Sequence, residues 1–311
     1  MINGGLMKTA LLCSGQGSQY VGMMKDLFDN SNKAKEIIHK ADEILDFSLS
    51  EICFNGPMDV LKQTRFTQPA IFLHSAVLYE LLKDKLEFDA VAGHSVGEYA
   101  ALYIAGVIEF EDALRLVSLR GQLMYSAGEE LPGTMFAVIN LDDDKVVEVC
   151  NKLNQNDEGA VVVAANFNTP GQVVVSGSRD YLRNNINAFK EAGAKLVKEL
   201  VVSGAFHSPL MKPAQLELEK AINTIEFKNA KVPVYSNVYA KPLTNADEIK
   251  NALIAQLTAP LLWTQSLRQM FSDGITRFVE LGPGQVLQGL VKRTLENIEI
   301  LGYDKFDDLQ K

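Results

Sequence analysis

The residues best suited to chemistry in this sequence form the pentapeptide Gly93-His94-Ser95-Val96-Gly97. Where a G-x-S-x-G pattern joins a strand to a helix, it forms a tight turn that exposes the serine hydroxyl, and the glycines relieve the crowding. Such a serine can act as a nucleophile in acyl transfer, because the N-terminus of the following helix stabilises an oxyanion. The pattern is short enough to arise by chance. Its context supports the turn, since the apolar run Phe88–Ala92 precedes it and the amphipathic run Glu98–Leu102 follows it.

A serine nucleophile needs a base, and the chain has four histidines, His39, His74, His94 and His207. His39 and His74 lie in the middle of predicted helices and are interpreted as surface or interhelical residues. The side chain of His94, inside the turn, is expected to point away from the serine hydroxyl. His207 lies in the loop Val202–Pro209, and folds with this turn take their base from a loop late in the chain. His207 is therefore the predicted base, although an ordinary surface histidine would have the same sequence signature.

An arginine on the apolar face of a predicted helix is the third feature. Within Glu111–Ser126, the side chains of Ala113, Val117, Arg120 and Met124 recur at helical spacing. Burying an unpaired guanidinium is costly, and a carboxylate bound in a bidentate manner would compensate. The same spacing also fits an arginine that reaches solvent or forms an internal salt bridge, so it gives only weak support for an anionic substrate.

A glycine-rich loop, Gly15-Gln16-Gly17-Ser18-Gln19, follows the first predicted strand. Glycines let backbone N–H groups approach a ligand closely. The loop lacks the Lys-Ser/Thr of a phosphate-binding P-loop and does not match the dinucleotide pattern GxGxxG. We therefore predict that it supplies a second oxyanion donor, because its strand is expected to lie beside the strand that ends at Gly93.

An α/β body with a largely parallel sheet has to position these groups, because strands and helices alternate in both end regions of the chain. Pro69 is expected in the first turn of its helix, where its missing N–H would have no helical partner. The predicted strands are Lys8–Ser14, Phe88–Ala92, Val232–Tyr235 and Phe278–Leu281. The predicted helices are Met24–Asn30, Ser31–Leu45, Gln68–Lys83, Phe110–Ser126, Ser208–Thr224, Ala246–Leu257, Gln265–Ser272 and Gly284–Thr294.

A different order of elements begins after the break Glu129-Glu130-Leu131-Pro132-Gly133. It predicts strands at Thr134–Ile139, Val161–Asn166, Gln172–Ser176 and Lys195–Val201, with helices at Asp142–Gln155 and Ser178–Glu191. The order β-α-β-β-α-β is that of a ferredoxin-like unit. We therefore predict a discontinuous body of residues 1–130 and 202–311, with a ferredoxin-like insert at residues 131–201.

Composition and charge restrict the class of protein. The 311 residues carry a formal net charge of -9, which argues against a general nucleic-acid binder and against adhesion to anionic membranes. No apolar run reaches the ~20 residues of a membrane span. Cys13, Cys53 and Cys150 are widely spaced and form no CxxC pair, so neither a disulfide framework nor a metal site is predicted. We expect a cytoplasmic protein, and a monomer as the default.

Six motifs in order resemble the malonyl-coenzyme A:acyl carrier protein transacylase family, and the resemblance covers the chain from Lys8 to about Thr294. The motifs are Gly15–Gln19, Gly93–Leu102, Arg120-Gly121, Asn166–Gly177, Gly204–Ser208, and Gln256-Leu257 with Pro260 and Trp263. The resemblance implies a hydrolase-like α/β body with a ferredoxin-like insert. This agrees with the fold class predicted above from the order of elements.

The resemblance also implies a role for each residue of the site. Ser95 would be the nucleophile and His207 its base. The backbone N–H groups of Gln16 and Val96 would form the oxyanion hole. Arg120 would hold the malonyl carboxylate, and the main-chain carbonyl of Gln256 would orient the histidine in place of the usual acid.

The implied reaction moves a malonyl group from malonyl-CoA to the phosphopantetheine thiol of acyl carrier protein, through a malonyl-serine, without a metal or redox cofactor. The sequence departs from the family at two positions. Val96 stands where many members carry leucine, which leaves the N–H unchanged. Ser14 stands where proline often precedes the glycine, which leaves the geometry of that loop open.

Two other functions fit parts of the pattern. A hydrolase would use the same turn but would normally have an acid between its serine and its histidine, for which Asp180 and Glu199 are formal candidates. The second alternative is a non-catalytic subunit that binds a carrier protein, and the presence of both Ser95 and His207 argues against it.

The motif Gly204–Ser208 resembles the form that prefers malonyl over methylmalonyl. The expected pathway is fatty acid synthesis, with polyketide synthesis as the alternative that the sequence does not exclude.

Docking of a carrier protein needs a local basic patch, because acyl carrier proteins are acidic and this chain is acidic too. Lys190, Lys195 and Lys198 in the insert form one candidate patch, and Lys292-Arg293 forms another. A solvated charged face explains either group equally well.

Overall fold

Two sheets, one mainly parallel and one antiparallel, organise the chain in the computed structural model, which describes residues 7–157 and 159–310. The strands are β1 (Lys8–Cys13), β2 (Ala90–Gly93), β3 (Gly133–Ile139), β4 (Val162–Thr169), β5 (Gln172–Ser178), β6 (Leu196–Glu199), β7 (Val234–Tyr235), β8 (Pro242–Leu243), β9 (Ile275–Leu281) and β10 (Glu299–Tyr303). The helices are α1 (Lys25–Asn30), α2 (Asn32–Leu45), α3 (Leu49–Asn55), α4 (Met58–Leu61), α5 (Thr64–Leu82), α6 (Gly97–Ile104), α7 (Phe110–Glu130), α8 (Asp143–Asn156), α9 (Arg179–Asn185), α10 (Asn187–Glu191), α11 (Lys212–Asn223), α12 (Ala246–Gln256), α13 (Trp263–Ser272) and α14 (Val286–Thr294). Short 3-10 helices lie at Pro209–Met211 and Phe306–Gln310.

The body sheet has β1 at its centre, in the strand order β10-β9-β1-β2-β7-β8. Its neighbouring strands are parallel except for β7 and β8. Cys13, at the end of β1, pairs with Gly93 of β2 and with Leu281 of β9. The segments that leave these three strands therefore meet at one edge of the sheet. This brings the glycine-rich loop after β1 next to the turn that contains Ser95.

Both faces of the body sheet are covered by helices, as is usual for parallel sheets. Leu11 and Cys13 belong to one apolar cluster, whereas Ala10 and Leu12 belong to another. Side chains alternate between the two faces of a strand, so β1 is apolar along almost its whole length. This continuous apolar run explains why the sequence predicts the central strand correctly.

The second sheet has the strand order β4-β5-β3-β6 and is antiparallel. Its element order is β-α-β-β-α-β, with the second helix divided into α9 and α10 at Ile186. Val138, Val175 and Phe189 belong to the apolar cluster between this sheet and its own helices. The predicted fold class, an α/β body with a mainly parallel sheet and a ferredoxin-like insert, is confirmed.

The insert also contacts the body directly. Met135 and Val174, on the other face of its sheet, belong to the apolar core of the body. The backbone of Leu261 donates to Ala165 and accepts from Phe167 of β4. The boundaries 131–201 stay a prediction, and residues 1–6 and 311 of the predicted body lie outside the described residues.

Two predicted helix starts are wrong by more than the usual one or two residues. Helix α11 begins at Lys212 rather than at Ser208, because the 3-10 helix Pro209–Met211 precedes it. Helix α5 begins at Thr64 rather than at Gln68, so Pro69 is its sixth residue and not part of its first turn. The Thr67 hydroxyl donates to the carbonyl oxygens of Leu61 and Gln63, which stabilises the turn at the start of the helix. A proline inside a helix lacks the N–H of one helical hydrogen bond and crowds the carbonyl of the residue four positions earlier, yet α5 continues through Pro69. The sequence predictions do not include the short elements α3, α4, β8 and β10.

Two further features concern the described residues as a whole. Within 7–157 and 159–310, no helix combines the length and the apolar character that a membrane span requires. Cys13, Cys53 and Cys150 are free and buried, and burial raises the pKa of all three thiols.

Candidate active site

Ser95 lies in the turn between β2 and α6, at the edge where the loops of the body sheet meet. Its φ is 53°, a left-handed conformation that is unusual for a residue with a side chain. A Cβ on Gly93 would overlap the backbone of Gly97, and a Cβ on Gly97 would overlap the carbonyl of Cys13. The two glycines are therefore required for the turn to pack against β1. Val96 caps α6, so the serine hydroxyl lies at the N-terminus of a helix.

The imidazole of His207 lies directly beside this hydroxyl. Ser95 Oγ and His207 Nε2 are 2.8 Å apart, and His207 Nδ1 lies 2.9 Å from the main-chain oxygen of Gln256. A carbonyl oxygen only accepts, so Nδ1 carries the hydrogen and Nε2 is left to accept the serine proton. Burial, together with the positive charge of Arg120, lowers the pKa of His207 to about 3. The imidazole is therefore neutral at neutral pH.

The Gln16 loop packs closely against the turn. A Cβ on Gly15 would lie 2.7 Å from the carbonyl oxygen of His94, so only glycine allows this approach. Gln16 and Ser95 line the same cavity of about 150 Å³. Neither the N–H of Gln16 nor that of Val96 donates to another residue that the structure describes. Both groups are therefore available to a ligand at this edge of the sheet.

Arg120 is fully buried and reaches the serine. Its Nη2 donates to Ser95 Oγ at 3.0 Å and to Gln256 Oε1 at 2.9 Å, and its Nη1 donates to Gln68 Oε1 at 2.6 Å. Its Nε has no hydrogen-bond partner, and no carboxylate of the described residues forms an ion pair with it. The guanidinium also lies 5.7 Å from the ring centroid of Tyr99. Neither solvent exposure nor an internal salt bridge accounts for this arginine, so its charge is free for an anionic ligand.

Three supporting residues were missed by the sequence analysis. Asn237 accepts the N–H of Ser95 at 2.8 Å and donates to the carbonyl of Gly93 at 2.7 Å. Gln68 accepts from Arg120 as described above. Glu98 is buried next to Gln256, and burial raises its pKa to about 7. The only sequence signal for Glu98 was a carboxylate at the start of an otherwise apolar helix.

The other histidines form no hydrogen bond with the serine hydroxyl among the described residues, although His94 lines the same cavity. His94 Nε2 is 2.9 Å from Asn168 Oδ1 of the insert, and its ring lies edge-on to Trp263. His39 is exposed, and its ring packs against Phe28. His74 is buried, and its Nε2 is 2.8 Å from the carbonyl oxygen of Asp304.

The two formal candidates for a hydrolase acid are not near the base. Glu199 accepts hydrogen bonds from Thr134 and Arg183, and Asp180 lies 3.6 Å from Arg179. His207 Nδ1 faces a main-chain carbonyl instead. The arrangement is that of a serine–histidine pair without a carboxylate.

The cavity lies between the body and the insert. Its body side is formed by Gln16, Gln68, Ser95, Met124, Phe206 and His207, and its insert side by Met135, Asn166, Asn168, Val174 and Leu200. Ser95, His207 and Gln16 therefore line a partly enclosed space, and the buried cation Arg120 lies directly behind the Ser95 hydroxyl. Such a site can accept an acyl group that ends in an anion.

Comparison with known proteins agrees with this chemistry. A family model described as the acyl transferase domain matches residues 10–306. The malonyl CoA-acyl carrier protein transacylase of Staphylococcus aureus (strain MW2) is 40% identical over 305 residues, which make up 98% of this chain and 98% of that protein.

Solved structures give the same result. An acyl carrier protein S-malonyltransferase from Vibrio cholerae has a TM-score of 0.92 at 40% identity, covering 97% of this chain and 99% of that chain. A malonyl-transacylase solved in complex with its type II polyketide synthase acyl-carrier protein has a TM-score of 0.93 at 36% identity, covering 97% and 98%. The chain therefore belongs to the acyl transferase domain family and, within it, to the malonyl CoA-acyl carrier protein transacylases.

Proposed function

We propose that this chain transfers a malonyl group from malonyl-CoA to the phosphopantetheine thiol of acyl carrier protein, through a malonyl ester of Ser95. The observation that carries the proposal is the contact between Ser95 Oγ and two groups, His207 Nε2 at 2.8 Å and the buried guanidinium of Arg120 at 3.0 Å. The first makes the hydroxyl a nucleophile, and the second selects an acyl group with a carboxylate.

In the first half-reaction, His207 Nε2 takes the proton of Ser95 as Oγ attacks the thioester carbonyl. The negative charge that develops on the carbonyl oxygen is stabilised by the N–H groups of Gln16 and Val96. Removing one such donor typically costs ~2.7–4 kcal/mol of transition-state stabilisation. The C–S bond then breaks, the proton on His207 passes to the leaving thiolate, and free CoA departs.

The second half-reaction reverses these roles. His207 takes the proton of the pantetheine thiol, and the sulfur attacks the ester carbonyl of malonyl-Ser95. The same two N–H groups hold the oxyanion. The C–O bond to Ser95 then breaks, and the proton returns from His207 to Oγ. The acyl group has moved from one thioester to another, so we expect the reaction to need no metal and no redox cofactor.

Selection of the acyl group follows from the environment of Arg120. Within the described residues, its guanidinium donates to neutral groups alone, the oxygens of Gln68, Gln256 and Ser95. A malonyl carboxylate supplies a charged partner, whereas an acetyl group leaves the charge unpaired. Sites built around a polar group discriminate strongly against substrates that cannot satisfy it.

Water has to be kept from malonyl-Ser95, because its attack would convert the transferase into a thioesterase. Ser95 is only 9% exposed, and the insert forms one wall of its cavity through residues such as Met135 and Val174. We infer that this wall limits the access of water to the ester.

The cations near the site differ in how well they are placed to dock a carrier protein. Side chains alternate along β6, so Lys198 shares a face with Leu200, which lines the cavity. Lys190 lies on α10, in the helix layer on the opposite face of the insert sheet. Helix α14 starts at the site edge and runs away from it, so Lys292-Arg293 lie at its far end. Lys198 is therefore the better placed cation, and we expect transfer to weaken as salt rises.

Intact-protein mass spectrometry tests the function. After exposure to malonyl-CoA, the chain is expected to gain the mass of one malonyl group, and holo acyl carrier protein should remove it and become malonylated. Ser95→Ala should gain no mass. Free malonate as the main product, with and without the carrier protein, would establish a hydrolase instead.

We further expect a cytoplasmic monomer. Size-exclusion chromatography would check the oligomeric state, and cell fractionation would check the location.

A further inference from the structure

A buried carboxylate next to the site has no part in the mechanism above. Glu98, the second residue of α6, is only 4% exposed. Its Oε1 accepts from the N–H of Asn237 at 3.3 Å, and its Oε2 accepts from Gln256 Nε2. No lysine or arginine of the described residues forms an ion pair with it. A buried carboxylate held only by neutral donors is costly, so its presence calls for a function.

The side-chain amide of Gln256 connects this carboxylate to the substrate arginine. Gln256 Nε2 donates to Glu98 and to the main-chain oxygen of Ser95, while Gln256 Oε1 accepts from Arg120 Nη2. An amide can present its oxygen to only one side. Because both groups on the Nε2 side are acceptors, the amide oxygen has to face Arg120.

In its ionised form, Glu98 carries the charge opposite to that of Arg120. Within the described residues, Arg120 forms no ion pair with a carboxylate and Glu98 forms none with a cation, yet a single amide separates the two groups. The dipole of that amide is aligned with both charges, with its N–H toward the anion and its oxygen toward the cation. Chains of hydrogen bonds of this kind polarise and strengthen one another in a low-dielectric interior.

We propose that Glu98 is a positioning residue for Arg120, acting through the side-chain amide of Gln256, and that it thereby determines the preference for acyl groups that end in a carboxylate. The inference rests on the proposed malonyl transfer and assigns a specificity role that the mechanism above does not require. It separates two functions of Gln256: the main-chain oxygen orients His207, whereas the side chain transmits the effect of Glu98 to Arg120.

The change Glu98→Gln tests the proposal, because it keeps the size of the side chain and removes its charge. The new amide cannot accept from both Asn237 and Gln256 without turning a donor toward one of them. The oxygen of Gln256, one of the three acceptors of Arg120, is then no longer fixed, and we expect kcat/KM for malonyl transfer to fall about tenfold. Acetyl transfer, which offers no carboxylate for the guanidinium to bind, is expected to change much less.

A matched control is available in Glu280, a second buried glutamate. It is 1% exposed and accepts from Ser14 and from the N–H groups of Leu287 and Gln288, without contact to Arg120 or Gln256. Glu280→Gln is expected to leave the ratio of malonyl to acetyl transfer unchanged. If Glu98→Gln lowers both transfers by the same factor, as a merely structural role predicts, the proposal is wrong.

A double-mutant cycle makes the test independent of overall stability. In the Arg120→Ala background, Glu98→Gln should no longer alter the ratio of malonyl to acetyl transfer. Gln256→Met, which keeps the main-chain oxygen and removes the amide, should reproduce the selective loss even if Glu98→Gln does not fold. A selective effect of Glu98→Gln that persists without Arg120 would overturn the proposal. Absence of malonyl transfer by the unmodified protein would instead contradict the proposed function.

Discussion

The side chain of Asn237 holds the backbone on both sides of His94, the residue before Ser95, although it lies 142 residues from Ser95 in the chain. Its Oδ1 accepts the N–H of Ser95, and its Nδ2 donates to the carbonyl of Gly93. Ser95 has a φ of 53°, a conformation that needs support from its surroundings. Asn237 supplies that support by joining the segment after β7 to the turn after β2.

Asn237→Ala should therefore lower both stability and acylation. The substitution leaves a buried N–H and a buried carbonyl without partners, and each such group costs ~1–3 kcal/mol. We expect urea unfolding to show a loss of this order and malonylation of Ser95 to slow. Asn245→Ala provides the control, since Asn245 caps α12 by accepting from Asp247 and Glu248. It should cost ~1 kcal/mol of stability without slowing malonylation.

Arg120→Ala should reverse the preference for the acyl group. Loss of the guanidinium removes the partner of the malonyl carboxylate, and a hydrogen bond to a charged group contributes ~1.5–3 kcal/mol. Malonyl transfer should fall accordingly, while acetyl transfer rises relative to it. Rates with both thioesters measure this ratio. Arg115→Ala, on the exposed side of the same helix, should leave it unchanged, and an unaltered malonyl preference in Arg120→Ala would remove Arg120 from the role.

The rate of acylation should not fall as the pH passes the ordinary pKa of histidine. The pKa of His207 is lowered to about 3, first by burial and then by Arg120, so the base stays neutral as the pH falls through 6.5. We expect the rate of Ser95 acetylation by acetyl-CoA to be nearly constant from about pH 7.5 to 5, where an ordinary imidazole with a pKa near 6.5 would become protonated. Acetyl-CoA avoids the malonyl carboxylate and the role proposed for Glu98, whose pKa burial raises to about 7. A midpoint near pH 6.5 would contradict the burial of a neutral base.

Ser14 should support the glycine-rich loop Gly15–Gln19. Its hydroxyl donates to Glu280 Oε1 at 3.0 Å, and this carboxylate also accepts from the first N–H groups of α14. The bond ties the residue before Gly15 to the end of β9, at the position where proline is frequent in the family. Ser14→Ala should slow malonyl and acetyl acylation of Ser95 by similar factors, because the role proposed for the Gln16 N–H is common to both. Single-turnover acylation measures the two rates, and a change confined to malonyl would contradict this role.

Local sequence was sufficient for the parts of the site that one segment builds. The turn around Ser95 depends on glycines two residues to either side, so its pattern is visible in five residues. The central strand β1 is apolar along its length and was predicted almost to its boundaries. The start of α5 was wrong because Pro69 was interpreted from local preference, whereas the helix continues through it.

Residues that act across the fold left little trace in the sequence. Asn237 and Gln68 are ordinary polar residues whose functions arise only when distant segments meet at the carboxyl edge of the body sheet. The sequence placed Arg120 on an apolar helical face but could not show what it contacts. Its three neutral acceptors come from α5, α12 and the turn after β2, so only the folded chain brings them together.

The burial of Cys13, Cys53 and Cys150 has a practical consequence for measuring the reaction. Thiolates are the reactive form of cysteine, and burial disfavours that form in all three residues. A chromogenic disulfide added to the native protein should therefore detect only thiols of CoA or of the carrier arm. Their appearance and disappearance can then be followed continuously, without a background from the catalyst itself.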